Sequence, residues 1–194
     1  MRVAGLTRLA PIRRQVKRAE RGANVTNIRG LQIRRLEPSN AALFRDIRLE
    51  GLQRNPEAFG STFEKESALP LSWFEAVLGR TAIFGAFVEE TLGGVAAYAA
   101  QEGTKQAHRA TLWGMYVRDS ARNLGLGKKL VAAVLDHARG RVEMVQLTVV
   151  SENESARRIY SAAGFVEYGY EKRGLKYEGR YYDQVLMVKF LDEG

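Results

Sequence analysis

The sequence predicts an α+β domain in which a mixed sheet contains a central strand–helix–strand crossover. First, the 194 residues, 45% hydrophobic and 27% charged, have the proportions of one soluble globular domain. Second, the apolar periodicity is helical before residue 80 and becomes strand-like from residue 82. Third, the glycine-rich loop Arg122–Gly127 separates a predicted strand from an amphipathic helix. Together these features predict the order β-α-α-β-β-β-α-β-α-β-β.

The positive charge of the chain is concentrated at its N-terminus. Residues 1–30 carry a net charge of +7, against +8 for the whole chain, so the rest is nearly neutral. We therefore predict a basic extension over residues 1–30 and a domain over residues 31–194. A basic arm can bind phosphate polymers, but no aromatic residue lies among these cations to stack on bases. The alternatives are a solvated extension or a start codon placed upstream of the native one.

Composition also limits the compartment and the chemistry. The chain has no cysteine, which excludes disulfides, a thiol nucleophile and zinc–thiolate sites. No apolar run approaches the roughly 20 residues that span a bilayer, and no secretory h-region is present. We expect a cytoplasmic protein with no metal, no membrane partner and no nucleic-acid partner.

The first half of the domain is predicted to hold one strand and two helices. Gln32–Leu36 reads as a strand, and a helix follows from Pro38 to about Arg54, where Asn55-Pro56 ends it. Residues 57–70 are predicted to be a loop. Ser72-x-x-Glu75 has the capping-box pattern and is predicted to begin the second helix.

The second half is predicted to hold the remaining six strands and two helices. Glu89-Glu90-Thr91 separates the first two strands as a hairpin turn, and Glu178-Gly179 joins the last two. The predicted strands are Ala82–Val88, Leu92–Ala100, Arg109–Val117, Val145–Val150, Phe165–Glu171 and Tyr181–Phe190. The predicted helices are Lys128–Arg139, with an apolar stripe that packs on the sheet, and Ser155–Ala163, ended by Gly164.

The glycine loop between strand and helix is a candidate anion site. Successive backbone N–H groups and the positive end of the helix both favour a phosphate there. A dinucleotide fingerprint would need glycine or alanine where Leu130 stands, and a P-loop would need Ser or Thr at Lys129. The pattern Arg122-x-x-Gly125-x-Gly127 therefore fits one pyrophosphate, with a glycine-tolerant β–α turn as the alternative.

A second constellation follows the Val145–Val150 strand. Asn153 comes just past the strand end, where an amide can hydrogen-bond an extended ligand such as pantetheine. Tyr160 lies seven residues later on the next helix and can point toward the same cleft. The alternative for Tyr160 is a core aromatic residue packed near Phe165.

These two segments resemble the motifs of the GNAT superfamily of N-acetyltransferases. Residues 117–128 resemble its acetyl-CoA motif, and the segment from Asn153 through Tyr160 to Gly164-Phe165 resembles its following motif. The resemblance spans roughly residues 32–190 and implies a GNAT-like fold, in which strands 109–117 and 145–150 splay apart to admit the cofactor.

The resemblance also implies roles for individual residues. Acetyl-CoA is the implied cosubstrate, and Tyr160 is implied to protonate the departing thiolate. Backbone groups of Met115, Tyr116 and Val117 are implied to pair with pantetheine, which Asn153 also touches. The pyrophosphate is implied to bind the amides of Asn123, Leu124, Gly125, Leu126, Gly127 and Lys128.

The resemblance leaves the catalytic base open. Some family members carry a glutamate on the strand before the asparagine, and the matching residue here is Thr148. His108 and Glu64 are candidate bases, although each can equally be an ordinary surface residue. His137 is predicted only to favour the negative end of its helix. Tyr177, Arg180, Tyr181, Tyr182 and Asp183 are candidates to border the acceptor site.

We expect acetyl transfer from acetyl-CoA to a primary amine of a small molecule or protein, by direct attack in a ternary complex. The alternative is a binding module, either an acyl-CoA-binding fold without catalysis or a basic-armed nucleic-acid binder. The acceptor is not encoded in a motif, and the oligomeric state, including a homodimer, is left open.

Overall fold

The computed structural model describes residues 30–191, which form one seven-stranded mixed sheet with helices on both faces. The strands are β1 (Leu31–Arg35), β2 (Ala82–Val88), β3 (Thr91–Ala100), β4 (Arg109–Val117), β5 (Met144–Val150), β6 (Val166–Tyr177) and β7 (Arg180–Phe190). The helices are α1 (Ala41–Arg54), α2 (Phe63–Ser67), α3 (Leu71–Arg80), α4 (Leu126–Ala138) and α5 (Glu154–Ala162). This architecture confirms the predicted mixed α/β class.

The sheet order is β1-β2-β3-β4-β5-β7-β6. Neighbouring strands are antiparallel except β4 and β5, which are parallel because α4 crosses over between them. β4 and β5 pair only over Arg109–Thr111 and Met144–Gln146, and their remaining residues diverge. The splay implied by the family resemblance is therefore present, and it opens a gap at the centre of the sheet.

Two cores cover the two faces of the sheet. α4 and α5 pack on one face around fully buried aliphatic residues such as Leu130 and Val134. α1 and α3 pack on the other face, around Ile47, Phe74 and Leu78. Each helix buries one apolar stripe, which is why the helical periodicity was readable in the sequence. No helix within residues 30–191 is long and apolar enough to cross a membrane.

Three sequence predictions about element boundaries were wrong. Residues 57–70 are not all loop, because α2 forms there with Thr62 accepting a hydrogen bond from the Lys65 amide. Ser72 does not cap α3, which begins at Leu71 after Pro70. Helix α4 begins at Leu126 rather than Lys128, so Gly127 lies inside its first turn.

One strand is longer than predicted, and one predicted segment lies outside the described residues. β6 continues to Tyr177, six residues beyond the predicted end, because its pairing with β7 resumes after an irregular stretch between Glu171 and Leu175. The predicted basic extension of residues 1–30 lies, apart from Gly30, outside the described residues.

Candidate functional site

The gap between β4 and β5 continues into a cavity of about 840 Å³. Its wall includes Met115 and Tyr160, which pack with the α4 layer, and Phe59 and Trp113, which pack with the α1–α3 layer. Because these residues belong to opposite faces, the cavity passes through the plane of the sheet. A ligand entering beside α4 and one entering beside α1 can therefore meet between the strands.

A β-bulge in β4 aims side chains into this cavity. Val95 pairs with Tyr116 and Ala97 with Trp113, so two β4 residues stand opposite one residue of β3. Gly114 occupies the bulge with φ +63°, a conformation that favours glycine. The extra residue shifts the alternation of β4, which places Met115 on the α4 side and Tyr116 on the α1 side.

The loop before α4 presents backbone donors at one end of the cavity. Asn123 and Gly125 have φ values of +63° and +74°, so the chain turns sharply just before α4, a geometry in which successive amides can face one ligand. No side chain caps the N-terminus of α4, which leaves its first N–H groups available to an anion. Arg122 and Lys128 line the same end and add positive charge.

Gly127 lets α4 approach its neighbours closely. A Cβ atom on Gly127 would lie 3.0 Å from both Ile159 Cδ1 and Met115 Cε. This contact explains the second glycine of the loop as a packing requirement, because α4, α5 and β4 meet at this point.

Tyr160 lies at the middle of the cavity wall. Its hydroxyl donates a 3.5 Å hydrogen bond to Met115 Sδ, and its ring packs edge-on against Phe165. The residue is 7% exposed, and this burial raises the pKa of the hydroxyl well above its ordinary value. Tyr160 therefore stays protonated at physiological pH and can act as a donor but not as a base.

Asn153 has a structural role as well as a place in the wall. Its Oδ1 accepts a 3.1 Å hydrogen bond from the Ala156 amide and caps α5. Since Oδ1 is engaged, the side-chain NH₂ is the group that remains to donate to a ligand.

A buried ion pair supports the α1 side of the cavity. Arg48 donates from Nε to Glu66 Oε2 over 2.9 Å and from Nη2 to Oε1 over 2.7 Å, with both side chains below 10% exposed. Burial alone would raise the pKa of Glu66, but the hydrogen bonds and charge of Arg48 lower it overall. The guanidinium also lies 5.1 Å from the centre of the Phe59 ring and 5.7 Å from that of Trp113. No sequence pattern pointed to this pair, because its members lie 18 residues apart on separate helices.

The final hairpin contributes less to the cavity than the sequence suggested. None of the five hairpin candidates, Tyr177, Arg180, Tyr181, Tyr182 and Asp183, is part of the cavity wall. Arg180 instead holds the wall residue Glu152 through Nη2 at 2.8 Å from both carboxylate oxygens. Asp183 accepts hydrogen bonds from the Arg173 amide and the Tyr170 hydroxyl, and these lower its pKa.

The three other candidate acid–base residues also lie outside the cavity wall. His108 precedes β4, where its carbonyl accepts from the Glu143 amide. Glu64 is exposed on α2. His137 contacts Phe84 and Tyr98 edge-on, and its partial burial, with Arg141 and Arg35 nearby, lowers its pKa. The lowered pKa weakens any interaction of His137 as a cation with the negative end of α4.

Most of the predicted ligand-binding residues come together in one place. The cavity wall contains Met115, Tyr116, Val117, Asn123, Gly125, Leu126, Gly127, Lys128, Asn153 and Tyr160. Leu124 is the exception, since its side chain packs against the core and leaves only its backbone for a ligand. Phe59, Trp113 and Ile159 are wall residues that sequence reasoning missed. The sequence held one signal for the bulge beside Trp113, because Gly114 lies inside a predicted strand and a glycine there often marks a β-bulge.

The donors at this site suit an anionic, extended ligand rather than a metal ion. Backbone amides, Arg122 and Lys128 occupy one end, and unpaired strand backbone follows along β4. Within residues 30–191, no three His, Cys, Asp or Glu side chains lie close enough together to hold a metal ion.

Solved structures of known enzymes share this architecture. A GNAT-family acetyltransferase from Streptococcus pneumoniae is similar, with TM-score 0.73 and 25% identity over 83% of this chain and 99% of that one. A phosphinothricin acetyltransferase from Sinorhizobium meliloti, in complex with AcCoA, gives TM-score 0.72 and 20% identity over 85% and 90%. A ribosomal-protein-alanine N-acetyltransferase from Brucella melitensis gives TM-score 0.68 and 22% identity over 82% and 99%.

Sequence comparison identifies the family. A search of curated protein sequences found no significant match. The family model described as "Acetyltransferase (GNAT) family" matches residues 48–165, more than half of the chain. That range includes the splayed strands, the glycine loop and the Asn153–Tyr160 segment. The chain therefore belongs to the GNAT family of acetyltransferases, which transfer the acetyl group of acetyl-CoA.

Proposed function

We propose that the protein transfers the acetyl group of acetyl-CoA to a primary amine by direct attack in a ternary complex. The observation that carries this proposal is the cavity through the sheet. It has an anion-binding helix end on one face, an aromatic wall on the other, and a protonated tyrosine between them. A binding module without catalysis would not need a buried proton donor at the meeting point.

The residues would divide the binding of acetyl-CoA among them. The amides from Asn123 to Lys128 would hold the pyrophosphate, because they lie at the uncapped, positive end of α4. The backbone of Met115–Val117 would pair with the pantetheine amides, since β5 does not pair with it. The Asn153 NH₂ would donate to the same arm. Bound acetyl-CoA supplies the thioester that is cleaved.

Tyr160 would supply the proton that the leaving sulfur needs. Its hydroxyl already donates to a sulfur atom, that of Met115, in the described structure. A donor that is protonated across the physiological range can serve every turnover, and general acid catalysis typically contributes about 10²–10⁴-fold.

The acceptor is a primary amine, and two classes are retained. The similar structures include one enzyme named for ribosomal-protein alanine and one named for phosphinothricin. Both a protein amino group and a small-molecule amine therefore remain candidates.

The test is release of CoA thiol from acetyl-CoA over a panel of amines: benzylamine, spermidine, free amino acids and short peptides with an unblocked N-terminus. We expect amine-dependent release with formation of the acetylated amine, measured by mass spectrometry. Tight acetyl-CoA binding without turnover of any amine would favour a non-catalytic acyl-CoA-binding module instead.

A further inference from the structure

Amine acetylation requires the acceptor to lose a proton before its nitrogen can attack. An alkylammonium has a pKa of about 10, so nearly all of the acceptor is protonated and non-nucleophilic at pH 7. Tyr160 cannot remove this proton, because it is itself protonated. The following inference rests on the proposed function and concerns which side chain takes that proton.

Most acidic groups near the cavity are already engaged. Glu152 lines the cavity but is held by Arg180 through both of its oxygens. Glu66 is buried in its two hydrogen bonds with Arg48. Asp183 is held by Tyr170 and a backbone amide outside the wall. A carboxylate that already accepts hydrogen bonds from a cation or a donor is a weaker acceptor for a substrate proton than an unpaired carboxylate.

The remaining base candidates are excluded by position or by chemistry. His108 and Glu64 are not wall residues. Thr148 is a wall residue, but its hydroxyl has no basicity at neutral pH.

Glu57 is the carboxylate that these exclusions leave. It lies in a single 3₁₀ turn, Pro56–Ala58, that directly follows α1 and lines the cavity. The side chain is half-buried and forms no hydrogen bond or ion pair with any other side chain of residues 30–191. The turn packs against β5 and β6, so it bridges the gap on the α1 side of the sheet.

The surroundings of Glu57 suit a cation. The aromatic rings of Phe59 and Trp113 share the wall with Glu57, and aromatic faces attract ammonium groups. The guanidinium of Arg48 lies over both rings, and its charge is offset by the buried carboxylate of Glu66. A carboxylate in the same cavity wall as two aromatic rings can bind a protonated amine.

No other charge on the packed elements opposes this role. On the last turns of α1, Arg48, Glu50 and Arg54 are all held in ion pairs. β5 carries no titratable side chain, and the charged residues of β6 are exposed to solvent. Burial, with help from Glu178, raises the pKa of Tyr177, so that hydroxyl remains neutral.

We propose that Glu57 binds the acceptor ammonium and accepts one proton from it, directly or through one water. The neutral amine nitrogen then forms a bond to the acetyl carbon as the carbon–sulfur bond breaks. The sulfur receives a proton from Tyr160, and the second nitrogen proton, which leaves as the amide forms, restores the Tyr160 hydroxyl through solvent. The sum is R–NH₃⁺ and acetyl-CoA giving R–NH–COCH₃, CoA thiol and one proton, which Glu57 passes to solvent.

The test is the pH dependence of kcat/KM for Glu57→Gln, using the panel amine with the highest wild-type kcat/KM. We expect a loss of about 100-fold at pH 7, typical of removing a general base. The loss should shrink to within about threefold at pH 10, where about half of the amine is neutral without help. Acetyl-CoA affinity, measured by titration calorimetry, should not change.

The matched control is Glu75→Gln, the same substitution at an exposed residue of α3. It should behave as wild type at each pH, which separates the effect of Glu57 from alkaline effects on the protein. A Glu57→Gln loss that is constant from pH 7 to pH 10 would mean a structural role and overturn the inference, as would no loss at pH 7. Wild-type protein that acetylates no panel amine would overturn the proposed function itself.

Discussion

The two halves of the cavity are built in different ways. The half beside α4 uses backbone: the unpaired edge of β4, the glycine loop and the first turn of a helix, all within Met115–Lys128. The half beside α1 uses side chains from separate segments, namely Arg48, the turn with Glu57, and Trp113. The backbone half depends on residues that are neighbours in the chain, whereas the side-chain half depends on contacts between distant segments.

This difference has a physical consequence for specificity. Backbone donors are present whatever the neighbouring side chains are, so a cofactor site of this kind tolerates sequence change. The half beside α1 depends on the buried Arg48–Glu66 pair and on the rings of Phe59 and Trp113, so a single substitution can change its shape. We therefore expect changes on the α1 side to affect stability and acceptor choice, and changes on the α4 side to affect acetyl-CoA.

The largest effect is expected from Glu66→Ala on the α1 side. This substitution leaves the buried guanidinium of Arg48 without its partner. Breaking a buried pair in this way typically costs about 3–5 kcal/mol, and we expect the free energy of unfolding to fall by about that much. Urea unfolding measures it, with Glu75→Ala as an exposed control expected to change stability by less than about 0.5 kcal/mol. A decrease in the free energy of unfolding below about 1 kcal/mol would show that the pair does not stabilise the half of the cavity beside α1.

The same pair predicts a pH dependence. The pKa of Glu66 is lowered in the folded protein. Its contribution to the free energy of unfolding is therefore present above its ordinary pKa of 4.5 and is lost as the pH falls below that value. Wild-type stability should therefore decrease on acidification through pH 4, and Glu66→Gln should decrease less steeply. Equal slopes would contradict the lowered pKa.

The next effect is expected from Tyr160→Phe, at the meeting point of the two halves. We expect kcat to fall about 100-fold, equivalent to about 2.7 kcal/mol in the barrier, because the leaving sulfur loses its proton donor. Acetyl-CoA affinity should be retained, since the ring still fills its place. Tyr168→Phe removes a hydroxyl from an exposed site on β6 and is the control. An unchanged chemical step at every pH would contradict the role of Tyr160.

A smaller effect is expected from Gly125→Ala in the backbone half. Gly125 has φ +74° with open space around its Cβ position, so alanine would cost about 1–2 kcal/mol in backbone strain without a clash. We expect acetyl-CoA affinity to fall about tenfold with little change in acceptor KM. Gly140→Ala carries the same strain, at φ +71°, beyond the other end of α4. Equal acetyl-CoA affinity in the two variants would place the pyrophosphate elsewhere.

The smallest effect is expected from Thr148→Val. Thr148 is exposed on the cavity wall and has no basic group, so kcat/KM should stay within about threefold of wild type. A loss of 100-fold would assign the hydroxyl a part in proton transfer, for instance through a bound water.

The backbone half could be predicted from the sequence because its residues are contiguous in the chain. The strand Arg109–Val117 has the predicted limits, and the following glycines are explained by φ at Gly125 and by packing at Gly127. The start of α4 was placed two residues late, because a glycine inside a first turn cannot be distinguished from loop by composition. The short helix α2 was missed because five residues are too few for a helical period.

The side-chain half could not be predicted for the converse reason. Arg48 and Glu66 look like ordinary surface charges in their own segments and become buried only when α1 packs on α2. Glu57 follows a helix-breaking Asn55-Pro56, which marks a turn but not its position against β5 and β6. Such contacts depend on tertiary packing, which periodicity does not report.

A single-turnover experiment tests the central claim most directly. Protein saturated with acetyl-CoA is mixed with the best panel amine, and CoA thiol and acetylated amine are followed together. Direct attack in one ternary complex predicts no CoA release before the amine is added, and then one acetylated amine for each CoA released. Release of CoA before the amine, or bound acetyl-CoA that no amine consumes, would contradict it.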